Sequence, residues 1–309
     1  MITTITLNAA IDQIYQVDRL ERESVNRVKD VHQDAGGKGL NVAKVLKQLG
    51  ANVDAGGFLG GVNGERILAL VREKGIPDDF ISIAGESRVC LTIMDAETEK
   101  GTEFLEGGPV ILDKEWEKML SWLEKKSKRT KWFALSGSLP QGLPSDAYAQ
   151  LIDIIQSNGA KAILDTSGEA LRHGIEAKPF AVKPNEKELA QLLGVPDLSL
   201  SLMIEEGHRL VESGIPHVCF TLGGEGAVIV NREGCFRVKA PAVPVKNTVG
   251  SGDSFVGGLI QGFAVSHDCF EAYKHAVACG SVNAAHMEIG HVDVLEVERM
   301  LKEITITEL

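Results

Sequence analysis

Short apolar runs alternate along the chain with segments whose apolar positions recur at helical spacing. From Val42 to Leu49 the apolar residues follow an i, i+3, i+4, i+7 pattern, which predicts a helix over 41–50. The same spacing predicts helices over 65–76 and around 116–123. The apolar runs of strand length are TTITL (3–7), WFALSG (132–137), KAILDTSG (161–168), FAVKPN (180–185) and HVCFTLGG (217–224). This alternation predicts an α/β fold with a mainly parallel sheet that helices cover on both faces.

Two segments interrupt the alternation. Residues 14–35 alternate polar and apolar positions, and residues 88–108 contain two strand-like halves around a polar turn with Gly101. Both segments are predicted to be antiparallel and half-buried, as an appendage to the main sheet. An edge hairpin without function, a lid and a surface for self-association all fit this pattern. No repeat, low-complexity segment or linker divides the chain, so residues 1–309 are predicted to form a single domain.

The charge and the cysteines restrict the partners and the compartment. The formal net charge is −11, which disfavours nucleic acids and anionic membrane surfaces as partners. The 5 cysteines are scattered and form no CxxC pair, so neither a disulfide framework nor a zinc site is expected. The N-terminus lacks the pattern of a signal peptide, and no apolar run reaches the roughly 18 residues of a membrane span. These features together predict a cytoplasmic enzyme.

Several familiar catalytic motifs are absent from the sequence. It contains no GxxxxGK[ST] phosphate loop, no GxGxxG in the first strand–helix unit, and no GxSxG around Ser254 or Ser138. His286 and His291 are 5 residues apart, a spacing that does not place both on one helix face for a metal. The local signatures of P-loop enzymes, dinucleotide-binding enzymes, serine hydrolases and zinc enzymes are therefore missing.

Polar residues stand next to predicted elements where α/β folds bind ligands. Residues 8–12 come directly after the first strand, and GGKGLN (36–41) directly precedes a helix. The glycines allow a ligand to approach the backbone closely, and Lys38 supplies positive charge. A capping turn with a surface lysine explains the same pattern equally well.

The segment KPNEKE (183–188) places polar groups at another strand end. Asn185 and Glu188 are one helical turn apart, so an amide and a carboxylate lie on the same side of the helix. Such oxygen ligands can order a hydrated Mg²⁺. The alternative interpretation is an ordinary helix N-terminus, where the helix dipole favours acidic residues.

The segment NTVGSGDSFVGGL (247–259) combines four glycines with one acid. The amides of Gly250, Ser251 and Gly252 can point into one concavity at a helix start and bind phosphate oxygens. Asp253, kept ionised beside that anion hole, could accept a proton from a substrate hydroxyl. The alternative is that Ser251 or Asp253 is only the N-cap of the helix.

The segments 36–61 and 247–260 resemble the two signatures of the ribokinase-like carbohydrate kinases, the phosphofructokinase B family. The resemblance extends over essentially the whole chain. It implies a ribokinase-like three-layer α/β/α fold with a mostly parallel central sheet and a small β-sheet lid. Residues 14–35 and 88–108 are the candidates for that lid, which in the family closes the sugar site and forms a dimer interface. A homodimer through the lid is therefore expected.

The resemblance also implies roles for individual residues. Asp253 is expected to be the catalytic base that activates a substrate hydroxyl. The anion hole is assigned to Gly250, Ser251 and Gly252, together with Asp253, and Mg²⁺ to Asn185 and Glu188. The positions that match the ATP site are Lys183, Asn185, Thr221, Gly223, Gly226, Gly252 and Asn283. The positions that match sugar contacts are Asp12, Gly36, Gly37, Lys38 and Asn41.

Within the family, the sequence resembles the branch that phosphorylates sugar phosphates. This branch includes tagatose-6-phosphate kinase, 1-phosphofructokinase and the minor 6-phosphofructokinase. Arg27, Arg88 and Ser138 match its phosphate-binding positions. The resemblance implies ATP-dependent, Mg²⁺-requiring phosphorylation of a ketohexose monophosphate to a bisphosphate. The reaction would convert tagatose 6-phosphate to tagatose 1,6-bisphosphate, or fructose 1-phosphate to fructose 1,6-bisphosphate.

The sequence leaves the identity of the sugar open. Cys90 stands where 1-phosphofructokinases usually have asparagine, so residues 88–108 are closer to tagatose-6-phosphate kinases, whereas LDTSGEAL (164–171) is closer to the fructose-phosphate enzymes. Ala9 replaces the proline that usually follows Asn8. A kinase of an unphosphorylated sugar or nucleoside is the alternative, and a non-catalytic sensor of sugars or nucleotides is a more distant one.

Overall fold

Strands and helices alternate through most of the molecule. The computed structural model describes residues 1–98, 100–266 and 268–309. Its strands are β1 (Ile2–Thr6), β2 (Ala10–Val17), β3 (Asp30–Gly36), β4 (Val53–Gly60), β5 (Asp78–Ile83), β6 (Arg88–Asp95), β7 (Lys100–Leu105), β8 (Trp132–Ser136), β9 (Lys161–Asp165), β10 (Ala181–Val182), β11 (His217–Thr221), β12 (Ala227–Asn231), β13 (Gly234–Lys239) and β14 (Thr305–Glu308). Its α-helices are α1 (Lys38–Gln48), α2 (Gly61–Glu73), α3 (Asp113–Ser127), α4 (Ala147–Ser157), α5 (Gly168–Glu176), α6 (Glu186–Leu193), α7 (Leu200–Ser213), α8 (Ser251–Val265), α9 (Cys269–Ala284) and α10 (Val294–Leu301). Within the described ranges, no helix has both the length and the apolarity needed to cross a membrane.

Ten strands form one large sheet in the order β14-β13-β12-β11-β10-β9-β8-β1-β4-β5. The strands from β11 to β5 in this order pair in parallel, and β12, β13 and β14 add an antiparallel edge. Alternate residues of β8 enter two separate cores, with Ala134 in one and Phe133 and Leu135 in the other. The first core is completed by α1, α8 and α9, and the second by α3, α4 and α7. The predicted α/β fold, with helices on both faces of a mostly parallel sheet, is confirmed.

The lid is a second sheet of four strands in the order β3-β2-β6-β7. The pairs β2–β3 and β6–β7 are antiparallel, as predicted. The pair β2–β6 is parallel, which the sequence analysis did not predict. The chain enters the lid after β1 and again after β5, and these parallel strands end at the same edge of the large sheet. The strands β2 and β6 therefore leave the body in the same direction and pair side by side.

The bounds of some predicted elements differ from the observed ones. The lid begins at Ala10 rather than at residue 14, and residue 99 of the predicted hairpin lies outside the described residues. The predicted strand 180–185 is reduced to the two residues of β10. Pro184 has no backbone N–H for a strand ladder, and Asn185 already caps the following helix. This early end leaves residues 183–185 free to form part of a site.

Candidate active site

Three helix starts meet at the carboxyl edge of the large sheet. They belong to α1, α6 and α8, and they carry the three motifs singled out in the sequence. Direct contacts join them, because Asn41 of α1 reaches Asp253 of α8, and Lys38 of α1 approaches Glu188 of α6. The structure therefore brings together segments that lie up to 212 residues apart in the chain.

Asp253 is a buried carboxylate in the first turn of α8. It is 5% exposed, and its Oδ2 accepts a hydrogen bond from Asn41 Nδ2 at 2.8 Å. Burial raises the pKa of Asp253 to about 6, even though Lys38 and the Asn41 amide favour the charged form. A carboxylate with this pKa is mostly ionised near neutral pH and is a competent general base.

The turn before Asp253 leaves the Gly252 and Asp253 amides unpaired, but the Ser251 amide, which was assigned to the anion hole, donates to the Thr248 carbonyl at 3.2 Å. Gly250 is the N-cap of α8 and adopts a left-handed φ of 79°, where a Cβ would lie 2.7 Å from Ile289. Amides in the first turn of a helix have no hydrogen-bond partner within that helix. Among the described residues, the amides of Gly252 and Asp253 also donate to no backbone carbonyl outside α8. These unpaired amides can bind an anion, as amides at helix starts do.

The alternative interpretation of this turn as a side-chain cap is wrong. The N-cap residue is Gly250, with no side-chain cap hydrogen bond. The Ser251 hydroxyl instead accepts a hydrogen bond from Asn283 Nδ2 at 3.1 Å. Ser251 and Asp253 are thus free of the capping role that would have explained them structurally.

Asp165, at the end of β9, lies between two lysines. Its Oδ1 is 3.2 Å from Lys38 Nζ and 3.1 Å from Lys183 Nζ. Burial alone would raise the pKa of Asp165, but Lys183 and Lys38 outweigh it and hold that pKa below its ordinary value. The negative charge of Asp165 raises the pKa of Lys38, and the charges of Asp253 and Glu188 add to this effect. Burial acts in the opposite direction but does not outweigh these charges, so the pKa of Lys38 is raised. Lys38 is therefore a fixed cation in the site, and Lys183 contacts the same carboxylate oxygen.

No sequence motif pointed to Asp165. Residues 161–168 have the pattern of a strand, although a polar DTSG segment directly follows the apolar part of that run. Asp165 Oδ2 is buried without a hydrogen-bond partner among the described residues. A buried carboxylate oxygen of this kind fits a ligand or a hard cation.

Asn185 and Glu188 form a capping box at the start of α6. Asn185 Oδ1 accepts from the Glu188 amide at 2.9 Å, and Glu188 Oε2 accepts from the Asn185 amide at 2.8 Å. The other carboxylate oxygen, Oε1, lies 3.7 Å from Lys38 Nζ. The ordinary helix-start interpretation is therefore correct for the local geometry, and Glu188 still presents one oxygen to the site.

Three of the residues predicted to bind ATP lie in and around the loop that follows β11. Thr221 ends β11 and bridges to Asn185, and Gly223 begins a 3₁₀ turn with open space where a Cβ would project. Gly226 follows with a φ of 82°, and a Cβ at this position would collide with the Val238 carbonyl oxygen. This glycine-rich loop presents backbone next to the α6 helix start.

Asn283, which matches the ATP site in sequence, has its side chain directed into the protein. Its side chain is fully buried, and its Nδ2 donates to the Val249 carbonyl at 3.0 Å and to Ser251 Oγ. Its Oδ1 accepts from the Gly290 amide at 2.8 Å. Because every polar atom of this side chain is bonded within the protein, Asn283 supports the turn at Gly250 from behind.

Asp12 in β2 and the glycines before α1 line the lid side of the site. A Cβ at Gly36 would collide with the Asp12 carboxylate, and Gly37 has a φ of 108° that favours glycine. Burial raises the pKa of Asp12 to about 6, with Lys44 acting in the opposite direction. The loop from Gly36 to Lys38 thus joins the lid directly to the body of the site.

Arg88 and Ser138 are linked through Asn8. Arg88 Nε and Nη2 donate to the Asn8 carbonyl at 3.2 and 3.1 Å, and Nη1 donates to the Glu106 carbonyl at 2.9 Å. Asn8 Nδ2 donates to Ser138 Oγ at 3.2 Å. A guanidinium has five N–H donors, so two remain for an anion. Asn8, the first residue of the candidate segment 8–12, thus organises this part of the site.

Arg27 is not joined to the other predicted residues. It is exposed in the loop between β2 and β3. The β2–β3 ladder begins at the pair Ala10–Gly36, close to Asp12, and ends at the pair Gln16–Asp30. The loop that carries Arg27 follows the far end of this ladder, about 20 Å from the end near Asp12. Within a single chain, Arg27 does not contribute to the site.

Comparisons with known proteins agree with this architecture. Residues 5–292 match the sequence pattern described as pfkB family carbohydrate kinase. A Staphylococcus aureus protein provisionally described as a phosphofructokinase is 32% identical, with 100% of this chain and 99% of that chain covered and a TM-score of 0.85. Phosphofructokinase-2 of Escherichia coli is 27% identical over 97% of this chain and 98% of that chain, with a TM-score of 0.91. That protein has been solved with fructose-6-phosphate and in a tetrameric inhibited form.

Proposed function

This chain belongs to the pfkB family of carbohydrate kinases, and from that premise we propose that it transfers the γ-phosphoryl group of ATP to a ketohexose monophosphate. The product would be a ketohexose bisphosphate. The observation that carries this proposal is the α8 turn, where the buried base Asp253 stands beside two unpaired amides.

The chemistry follows from the positions of these groups. The amides of Gly252 and Asp253 hold the transferring phosphoryl group, and the incoming hydroxyl gives its proton to the Asp253 carboxylate. Lys183 lies next to Gly252, since a Cβ there would be 3.5 Å from Lys183 Nζ. Lys183 and Lys38 offset negative charge that develops on the phosphoryl oxygens.

The site also suits the Mg²⁺ that accompanies ATP. Asp165 Oδ2 and Glu188 Oε1 are the carboxylate oxygens available to hold it directly or through water. Mg²⁺ prefers oxygen ligands, keeps several waters, and when bound neutralises phosphate charge. Asn185 contributes mainly by fixing Glu188 through the capping box.

A phosphorylated sugar is favoured by Arg88 and Ser138. The two free N–H groups of Arg88 and the Ser138 hydroxyl flank Asn8 at the base of the lid. Arginine binds phosphate well because its planar fork can donate two parallel hydrogen bonds. The relative solved with fructose-6-phosphate supports the same class of substrate. Tagatose 6-phosphate and fructose 1-phosphate are the other candidates of this class.

We also propose that the lid forms a homodimer interface. The register places Tyr15, Val31, Leu91, Ile93 and Phe104 on one face of the lid sheet. Val31 is 53% and Phe104 is 55% exposed. A contiguous apolar face of this kind is typical of a protein–protein contact. The family resemblance favours a second copy of this chain as the partner that covers this face.

An ADP-release assay tests the reaction. The assay compares fructose 1-phosphate, fructose 6-phosphate, tagatose 6-phosphate and ribose with Mg·ATP, and ranks them by kcat/KM. We expect one of the three sugar phosphates to rank first. Turnover of ribose alone would support the kinase of an unphosphorylated sugar instead.

Arg88→Ala tests the sugar-phosphate assignment. We expect the KM for the sugar phosphate to rise about tenfold or more, because a charge-assisted hydrogen bond to phosphate is lost. The KM for ATP should stay close to that of the wild type. An equal rise in both KM values would contradict the placement of Arg88 at the acceptor phosphate.

A further inference from the structure

Helix α1 contacts the lid as well as the active site. Its first turns present Asn41 to Asp253. One turn further, Lys44 is only 5% exposed. Its ammonium group donates to the Asp34 carboxylate at 2.9 Å and to the Ala35 carbonyl at 3.1 Å, both in lid strand β3. A buried lysine thus links α1 to the lid, in addition to the chain itself, which runs from β3 through Gly37 into α1.

Asp34 is shared by two lysines of unequal burial. Lys74, after α2, lies 3.1 Å from Asp34 Oδ1, but its side chain is 41% exposed against 5% for Lys44. Burial alone would raise the pKa of Asp34, but Lys44 and then Lys74 outweigh it and hold the pKa below its ordinary value. Removing one partner of a buried pair leaves an uncompensated charge, whereas an exposed partner is replaced by water. Lys44 is therefore the partner that holds Asp34 in place.

Asp34 lies opposite Asp12 in the lid. The two residues are Cα partners in the β2–β3 ladder. Gly36, at the end of the same strand as Asp34, lies against the Asp12 carboxylate. The position of β3 relative to α1 therefore determines where the Asp12 carboxylate stands.

We propose that Lys44 is a positioning residue for the acceptor site, because it fixes lid strand β3, and with it Asp12, relative to helix α1. The effect on a sugar rests on the proposed function, in which Asp12 contacts the acceptor. The attachment of the lid to α1 does not depend on the identity of the substrate. The two parts of the proposal can therefore be tested separately.

The chain offers a matched control for Lys44. Lys126 of α3 is also 5% exposed, and it pairs with Asp54 and with Asp79 at 2.9 Å. These partners lie in β4 and β5 of the large sheet, away from the lid. Lys126→Met therefore removes a buried ammonium group of the same kind without touching β3.

Hydrogen–deuterium exchange tests the attachment of the lid. We expect Lys44→Met and Asp34→Asn to speed amide exchange in residues 10–17 and 30–36, and Lys44→Arg to restore exchange close to the wild type. Lys126→Met should leave exchange in these lid strands unchanged. Wild-type lid exchange in Lys44→Met would overturn the proposal, whatever substrate the enzyme uses.

Steady-state kinetics test the consequence for the acceptor. With the sugar phosphate that the wild type turns over, Lys44→Met should raise the KM for the sugar by about ten- to a hundredfold, because small displacements of positioning groups have effects of this size. The KM for ATP should not change. Equal changes in both KM values, or the same change in Lys126→Met, would overturn the positioning role. Failure of the wild type to use any sugar phosphate would refute the proposed function, and the exchange experiment would still decide whether Lys44 holds the lid.

Discussion

At the scale of single residues, Asp253 has surroundings unlike those of a surface carboxylate. It is buried, receives one hydrogen bond from Asn41, and has a pKa raised to about 6. The same burial that raises the pKa makes the carboxylate a stronger base. In the proposed mechanism, Asp253 therefore determines both the rate and its dependence on pH.

Asp253→Ala should lower kcat by roughly 10²–10⁴ if the carboxylate accepts the hydroxyl proton. The KM for ATP should change little, because the amides of the α8 turn remain. Ser254→Ala is the control, since Ser254 is adjacent and buried and its hydroxyl has no hydrogen-bond partner among the described residues. A near-wild-type kcat for Asp253→Ala, measured by ADP release, would refute the assignment.

The pH profile of kcat should fall on the acid side near pH 6. Asp253 acts as a base only when it is deprotonated, and its pKa is raised to about 6, so activity is lost as the pH drops through that value. The Asn41 amide donates to the charged form and lowers the pKa. Asn41→Ala should therefore move the acid limb to higher pH. A limb that stays in place would show that another group controls it.

At the scale of elements, the start of α8 depends on two glycines for different reasons. Gly250 requires its left-handed backbone and has Ile289 close behind it. Gly252 has no positive φ, and a Cβ there would meet only the end of the Lys183 side chain, with Nζ at the ordinary contact distance of 3.5 Å. The first glycine is needed to form the turn, and the second keeps the anion site open.

Gly252→Ala should therefore separate stability from activity. We expect an unchanged or higher melting temperature, because alanine is favoured over glycine in helices by about 0.5–1 kcal/mol. The new methyl group would occupy the anion site and lower kcat by about a hundredfold, comparable to the loss of one oxyanion-hole donor. Gly250→Ala should instead lower the melting temperature. A fully active Gly252→Ala variant would argue against phosphoryl binding at this turn.

Sequence patterns predicted the helices and strands better than they predicted which strands pair and which side chains meet. The motifs around Lys38, Glu188 and Asp253 could each be placed at a helix start from the sequence, and the resemblance to the kinase family implied that they share one site. Asp165 was missed because a single acid after a strand looks like any polar loop residue. The parallel β2–β6 pairing was missed because hairpin patterns do not specify which hairpins meet. The inward orientation of Asn283 depends on three tertiary hydrogen bonds that no local pattern encodes.

At the scale of the whole molecule, the apolar face of the lid is expected to hold two copies of the chain together as a dimer. Phe104→Glu places a charge on that face and should shift the molecule to a monomer in analytical ultracentrifugation. Leu295→Glu is the control, since Leu295 is 60% exposed on α10, away from the lid. A wild-type protein that sediments as a monomer, or a dimer unaffected by Phe104→Glu, would contradict the proposed interface.

In the part of the chain that the structure describes, no strand of the lid pairs with a strand of the large sheet. The phosphoryl-transfer end of the site belongs to the body, whereas Asp12 and Arg88 belong to the lid. In the proposed mechanism, acceptor choice and phosphoryl chemistry are thus carried by separately hydrogen-bonded modules, connected by short segments and by Lys44. Substitutions in the lid can change the acceptor while the body keeps its reaction. The same body, deprived of its lid, would be expected to use water as the acceptor and become a slow ATPase.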